Sequence, residues 1–201
     1  MRKFSTLIIT VLLVASSATA QVAWNVDKSH SNIGFKVKHM VISTVRGNFT
    51  DYDISFKSKN IDNFEGAAVE AVLRTASINT DNERRDNHLK SDDFLNAEMY
   101  PEIMFMSRSF TKMNDDTYKV TGDLTIRDVT KEVELEIVYN GSVQNRGSTL
   151  ASFDVSGTIN RFDFNVKWNR AIETGGLVVS EDIMFEFTLE MNEQPATSGG
   201  K

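Results

Sequence analysis

The chain has 201 residues, with 22 basic and 28 acidic side chains for a net charge of −6, and it contains no cysteine. That balance argues against nucleic acid and against broad attraction to anionic membrane surfaces. Without cysteine there are neither disulfides nor a site for lipid attachment at a thiol. A chain of roughly this size can fold on one hydrophobic core without such staples.

Arg2 and Lys3 precede an apolar run from Leu7 to Ala15, and Ala18-Thr19-Ala20 supplies small residues before Gln21. This is the pattern of a cleavable signal peptide over 1–20, too short for a spanning helix. Taking Arg2 and Lys3 from the 22 basic side chains leaves 20 against 28 acidic ones, a net charge of −8. The expectation is a soluble, exported, periplasmic protein that is not a lipoprotein. One domain spans 21–193, followed by a polar tail at 194–201.

From there the chain alternates apolar and polar residues with period two, the signature of antiparallel sheet with one wet face. Ile33, Phe35 and Val37 alternate with Lys36 and Lys38, and Val69, Ala71 and Leu73 with Glu70 and Arg74. Val45 to Phe56 fits less cleanly but favours strand. Thr80 and Glu83 have capping-box spacing ahead of R-R-D-N-H-L-K-S-D-D-F, Arg84 to Phe94. This segment reads as a short polar helix with an Asp86–Lys90 pair, anchored by Leu89 alone. A helix so poor in apolar residues does not form for its own stability. In an all-β protein it is expected to close a barrel end.

Ile103, Met104, Phe105 and Met106 are apolar on both parities, so this strand is expected to be covered outside by the helical insert. Tyr118, Val120, Leu124 and Ile126 form the next strand, then Val133 to Tyr139. Asn140-Gly141 is a tight-turn signal. Phe153, Val155, Gly157 and Ile159 alternate, as do Ile183, Phe185, Phe187 and Leu189. Phe162 to Ser180 contains no clear strand but holds Phe162, Phe164, Trp168, Leu177 and Gly175-Gly176. It reads either as a packed lid carrying Phe164, Trp168 and Leu177 or as a connection whose Trp168 plugs a barrel end.

Eight or nine strands without repeat or linker predict an all-β fold, an antiparallel up-and-down barrel with a short α-helical insert. A two-sheet sandwich is the alternative. The interior of such a barrel is either filled or holds one small ligand. Thirteen phenylalanines make it apolar, but core and cavity linings use the same residue types.

Catalytic signals are weak. His30 and His39 flank one strand at opposite parity, so no shared metal is expected. Arg84, His88 and Asp92 share a face if the helix continues that far, which resembles an acid–base cluster but also an ordinary solvated charge network. No phosphate loop or nucleophile elbow is present.

Several motifs in order resemble the YceI family of bacterial lipocalin-like proteins. They begin with Trp24-x-x-Asp27-x-x-His30-Ser31, Phe35 and Val37-Lys38-His39, then Val45-Arg46-Gly47-x-Phe49 and Ser77-Ile78-x-Thr80. Next come Arg85-Asp86-x-His88-Leu89-Lys90-Ser91-x-Asp93-Phe94 and Tyr100-Pro101-x-Ile103-x-Phe105. Gly122 to Arg127, Val129-Thr130-Lys131 and Asn160-Arg161-x-Asp163-Phe164 complete the set. The chain departs from the family where Asp128, Asn165 and Ser180 replace common glycines and Leu95 a common phenylalanine.

The resemblance implies an extended, lipocalin-like, eight-stranded antiparallel barrel holding a long-chain amphiphile, such as a polyisoprenoid, an isoprenoid quinone or a fatty-acid amide, with no cofactor required and no catalysis. Phe35, Val37, Phe49, Leu73, Phe105, Leu124, Phe153, Phe185 and Phe187 are then expected to line the lumen. Asp27, His30, His39, Arg46, Arg85 and His88 are expected at the mouth, contacting a head group or anchoring the helix. The partner is the lipid, with transient contact to a membrane or membrane protein, in a monomer or homodimer. Two rival readings remain: an enzyme acting on such a head group through Arg84, His88 and Asp92, and a filled barrel acting through its surface.

Overall fold

The computed structural model describes residues 21–171 and 177–194. The expected signal peptide, Gly175-Gly176 and the tail beyond Gln194 lie outside the described residues.

Eleven strand segments build eight staves. The first combines β1 (Val22–Val26) and β2 (Ile33–His39), and the second β3 (Ser43–Phe49) and β4 (Tyr52–Ser58). The third joins β5 (Ala68–Arg74) through a 3-10 turn at Thr75–Ser77 to β6 (Ile78–Asn79). β7 (Glu102–Lys112), β8 (Thr117–Ile126), β9 (Val129–Asn145), β10 (Ser148–Asn160) and β11 (Val179–Glu193) complete the barrel.

Each stave pairs antiparallel with the next, and β11 closes the ring by pairing one edge with β10 and the other with β1 and β2. The register along that seam sets Trp24 opposite Glu193 and Phe35 opposite Phe185. Closure leaves no open sheet edge, the physical reason an up-and-down sequence of this length favours a barrel over a sandwich.

The break between β1 and β2 has a side-chain cause. The Asp27 carboxylate accepts from the Ser29 amide at 2.8 Å and its hydroxyl at 2.5 Å, folding the backbone into an Asx turn. Ser31 Oγ then accepts from the Glu190 amide at 2.8 Å, standing in for a ladder bond. Asn140-Gly141 is not a turn. It sits inside β9, where the register shifts opposite Ser152/Phe153 and Gly141 takes φ +116°. Asn140 is the extra residue of a bulge, and the β9–β10 turn is made by Arg146-Gly147 instead.

The two barrel ends differ. At the lower end the 59–67 loop inserts Phe64, fully buried, among Trp24, Phe56, Tyr118, Tyr139 and Phe153. Trp24 Nε1 donates to Ser58 Oγ at 2.9 Å, so the one polar atom of the indole is satisfied inside this aromatic plug. The upper end carries the β2–β3 hairpin tip at 40–42, helix α1 (Glu83–Lys90), the turn at Arg127 and Asp128, and the 3-10 helix Arg161–Phe164.

α1 packs against β6 at that end and does not cover the outer face of β7. Met104 and Met106 are accordingly 44% and 58% exposed, which corrects the expectation drawn from their apolar parity. The stretch after Phe164 also ends earlier than its composition suggested, because β11 begins at Val179.

Candidate functional site

Inside the barrel a cavity of about 430 Å³ runs from the aromatic plug to the upper rim, within the ordinary size range of ligand pockets. The interior is therefore hollow. Its wall is made by inward residues of every stave, because alternate side chains of a strand share one face. Phe35, Val37, Phe49, Leu73, Phe105, Leu124, Phe153, Phe185 and Phe187 all lie on this wall. So do Ala71, Ile183 and Leu135, which belong to the same parity sets.

Two glycines shape the wall. A Cβ at Gly47 would come within 2.5 Å of Phe35 Cζ, and one at Gly122 within 2.5 Å of Phe105 Cζ. Both phenylalanine rings pack against bare backbone, and a side chain there would have to displace them.

The rim is built by α1 and the segment after β10. The N-cap of α1 is Asn82, whose side chain accepts from the Arg85 amide at 2.9 Å. Thr80 does not form the expected capping box. Its amide donates to Asp86 Oδ1 at 2.9 Å and its hydroxyl at 2.5 Å, while Arg85 Nε donates to Thr80 Oγ1 at 2.7 Å. Asp86 is buried in that clasp, so it does not form the expected pair with Lys90. Arg85 thus anchors the helix and borders the cavity, as does Leu89.

The helix stops at Lys90, so Asp92 does not share its face with Arg84 and His88. His88 instead pairs with Asp93, Nε2 to Oδ2 at 2.8 Å, and stands edge-on to Phe94 at 5.0 Å. Phe94 packs on Trp168 at 5.1 Å. This aromatic group stands at the rim as a candidate gate, and periodicity could not have found Phe94, which follows the helix outside any strand. Of the three lid residues expected from sequence, only Trp168 reaches the cavity. Phe164 is buried in the core behind it, and Leu177 bridges to Ala171.

Arg161 was named only within a motif, yet it organises the rim. It is 3% exposed, and its guanidinium donates from Nε to the Ser180 carbonyl at 2.8 Å. Nη1 donates to the Val166 and Trp168 carbonyls at 2.7 and 2.8 Å, and Nη2 to Val179 at 3.1 Å. Burial pushes its pKa down from the usual guanidinium range, but arginine remains charged in proteins. Arg127 repeats the device, donating to the Phe94 carbonyl at 3.0 Å and that of Asn165 at 3.1 Å. Asn165 takes φ +60°, a left-handed conformation that asparagine and glycine tolerate best.

The polar residues on the cavity wall are Lys38, His39, Arg85, His88 and Arg161; no carboxylate lines it among the described residues. Arg46 lies on the exposed outer face of β3, opposite Lys36, and not at the mouth. Asp27 and His30 also lie away from the rim, at the kink between β1 and β2. Their side chains stand on the outer wall, which for His30 agrees with its parity opposite to His39.

There His30 Nδ1 lies 3.1 Å from Asp27 Oδ2 and 3.8 Å from Glu190 Oε1. Hydrogen bonds from Ser29 and then His30 hold the Asp27 carboxyl down to about 2, while Asp27 and then Glu190 raise the His30 pKa. The three residues could offer ligand atoms to one ion, but Asp27, Ser29 and His30 already bond one another. His30 and His39 do not converge.

The YceI-like domain family matches residues 24–191. The UPF0312 protein SA2479 of Staphylococcus aureus (strain N315) is 38% identical over 168 residues, covering 83% of this chain and 95% of that protein. A Campylobacter jejuni YceI protein, crystallised as a mutant with a monobromobimane guest, is 34% identical with a TM-score of 0.69 over 84% of this chain and 96% of its own. A polyisoprenoid binding domain from Saccharophagus degradans shares the fold at 15% identity, with a TM-score of 0.57 over 87% of this chain and 99% of that one.

Proposed function

The chain belongs to the YceI-like domain family, and from that premise and its hollow interior we propose that it holds one long-chain amphiphilic lipid in the barrel. The observation that carries this reading is the cavity itself: apolar along its length, closed below by Phe64, and rimmed above by polar side chains that are all basic. Each buried methylene contributes about 0.8 kcal/mol, so a chain of several isoprene units binds tightly without a specific polar contact.

Selectivity then rests on cavity length and on the rim. His39, Arg85 and His88 offer donors to the carbonyl oxygens of a quinone or amide head group. The polyisoprenoid binding domain of Saccharophagus degradans supports an isoprenoid as the ligand class. The protein acts without catalysis and without a required cofactor, as a carrier or store. The pattern at 1–20 supports export to the periplasm, where a soluble carrier shields an apolar chain from water.

A filling substitution on the wall tests the reading. Ala71→Phe places a ring in the lumen, and uptake of an added isoprenoid quinone should fall at least about tenfold while the barrel stays folded. Undiminished uptake by a folded Ala71→Phe protein would place the ligand elsewhere.

A further inference from the structure

The tip of the β2–β3 hairpin is built against the usual rules for a turn. Met40, Val41 and Ile42 are 43%, 63% and 90% exposed. Met40 and Val41 take φ +50° and +68°. Two successive left-handed residues in a tight hairpin ordinarily go to Asn or Gly, and a β-branched residue is among the least suited to that conformation. Three large apolar side chains thus occupy a strained turn, in water, where small polar ones would fit better.

The tip is also continuous with the rim. The Met40 amide donates to the Val178 carbonyl at 2.9 Å, and Val178, His39 and Lys38 all border the cavity. From Ile33 to Phe49 the hairpin carries Lys36, Lys38, His39 and Arg46 and no carboxylate, in a chain of net charge −6. Lys36 is paired with Glu186 on β11, which leaves Lys38 and Arg46 facing outward beside the tip. Lys38 is held there by a bond to Thr44 Oγ1 at 3.1 Å.

We propose that this hairpin tip inserts into the surface of a lipid bilayer, bringing the mouth of the barrel against the membrane from which the lipid enters. The proposal rests on the carrier reading, which requires a source for a ligand too apolar to cross water freely. Apolar side chains at a tip with cations set just behind them match the layering of a bilayer, acyl chains inside and phosphates outside. The chain's overall negative charge excludes broad electrostatic attraction, so the apolar tip carries the contact and salt weakens it little.

The variant Met40→Asn/Val41→Gly/Ile42→Thr removes the apolar tip and supplies residues that suit the turn. Its melting temperature should hold or rise. In flotation with vesicles of phosphatidylethanolamine and phosphatidylglycerol, it should bind at least about tenfold less than the unaltered protein, while still retaining lipid in solution. Because the chain lacks cysteine, an environment-sensitive dye on Ile42→Cys reports on the tip alone. It should brighten with vesicles, and the same dye on Val143→Cys, toward the lower end, should not.

Equal flotation of the triple variant, or a silent dye at position 42, would overturn docking even if the cavity still holds lipid. Brightening with protein concentration in the absence of vesicles would assign the tip to self-association and also overturn it. Docking with an empty cavity would support the membrane contact and remove the carrier reading instead.

Discussion

The imidazole of His88 stands perpendicular to the indole of Trp168, with ring centroids 5.2 Å apart. One ring belongs to the helical insert and the other to the connection before β11, so their contact joins the two segments that frame the mouth. Trp168→Ala should open this gate. The expected result is faster exchange of bound lipid, with equilibrium occupancy less affected and a stability loss of about 2 kcal/mol. Stopped-flow transfer of a fluorescent quinone to vesicles measures the rate, and an unchanged rate would remove Trp168 from the gate.

Arg161→Met tests what holds the rim together. Four carbonyls that accept from this guanidinium would be left in a buried site. The expected cost is about 3 kcal/mol or more. Hydrogen exchange should show the loss in the rim segment and the start of β11 before the lower staves. Uniform loss across the barrel would contradict a local role.

The Asp27–His30 pair gives stability a defined pH dependence. The raised His30 pKa means that its contribution is full below the ordinary histidine value near 6.5 and is lost as pH rises through the higher folded value. The depressed Asp27 value means that its contribution is present above the ordinary value of 3.8 and is lost as pH falls toward about 2. The gap in melting temperature between the unaltered protein and His30→Ala should therefore be widest near pH 5 and narrow toward alkaline pH. A gap independent of pH would show that His30 acts only through packing.

Gly47→Ala should deform the cavity wall. Its Cβ would collide with Phe35 and also approach Thr80 Cγ2 at 2.7 Å, which belongs to the clasp that anchors α1. The expected outcome is a stability loss of about 1–3 kcal/mol together with weaker lipid uptake, measured by thermal melts and quinone binding. Unimpaired uptake would mean that Phe35 can swing outward at no cost.

Much of this architecture was readable from residue order, and the reason is period two. A strand whose inner face is buried declares its parity in every second residue, so Phe35, Val37, Phe105 and Phe187 announced a shared interior. Parity fails where the backbone leaves the pleat. The kink made by Asp27 and Ser29 kept His30 away from the mouth, and the bulge at Asn140 imitated a turn.

Local polar chemistry is equally ambiguous in sequence, since Thr80 and Asn82 can each cap a helix and tertiary contacts with Asp86 decided between them. Phe64 carried no signal, and Phe94 none beyond its place in the family motif. Each follows a loop or helix end, and only the closed barrel shows that one plugs the floor and the other packs the gate.

Native mass spectrometry of the protein isolated from a periplasmic preparation, followed by organic extraction of whatever it retains, tests the central claim most directly. The account predicts a stoichiometric long-chain adduct, lost on extraction and restored by added isoprenoid quinone or fatty amide. A clean unliganded mass that no added lipid changes would contradict it, and the cavity would then have to be explained without a lipid.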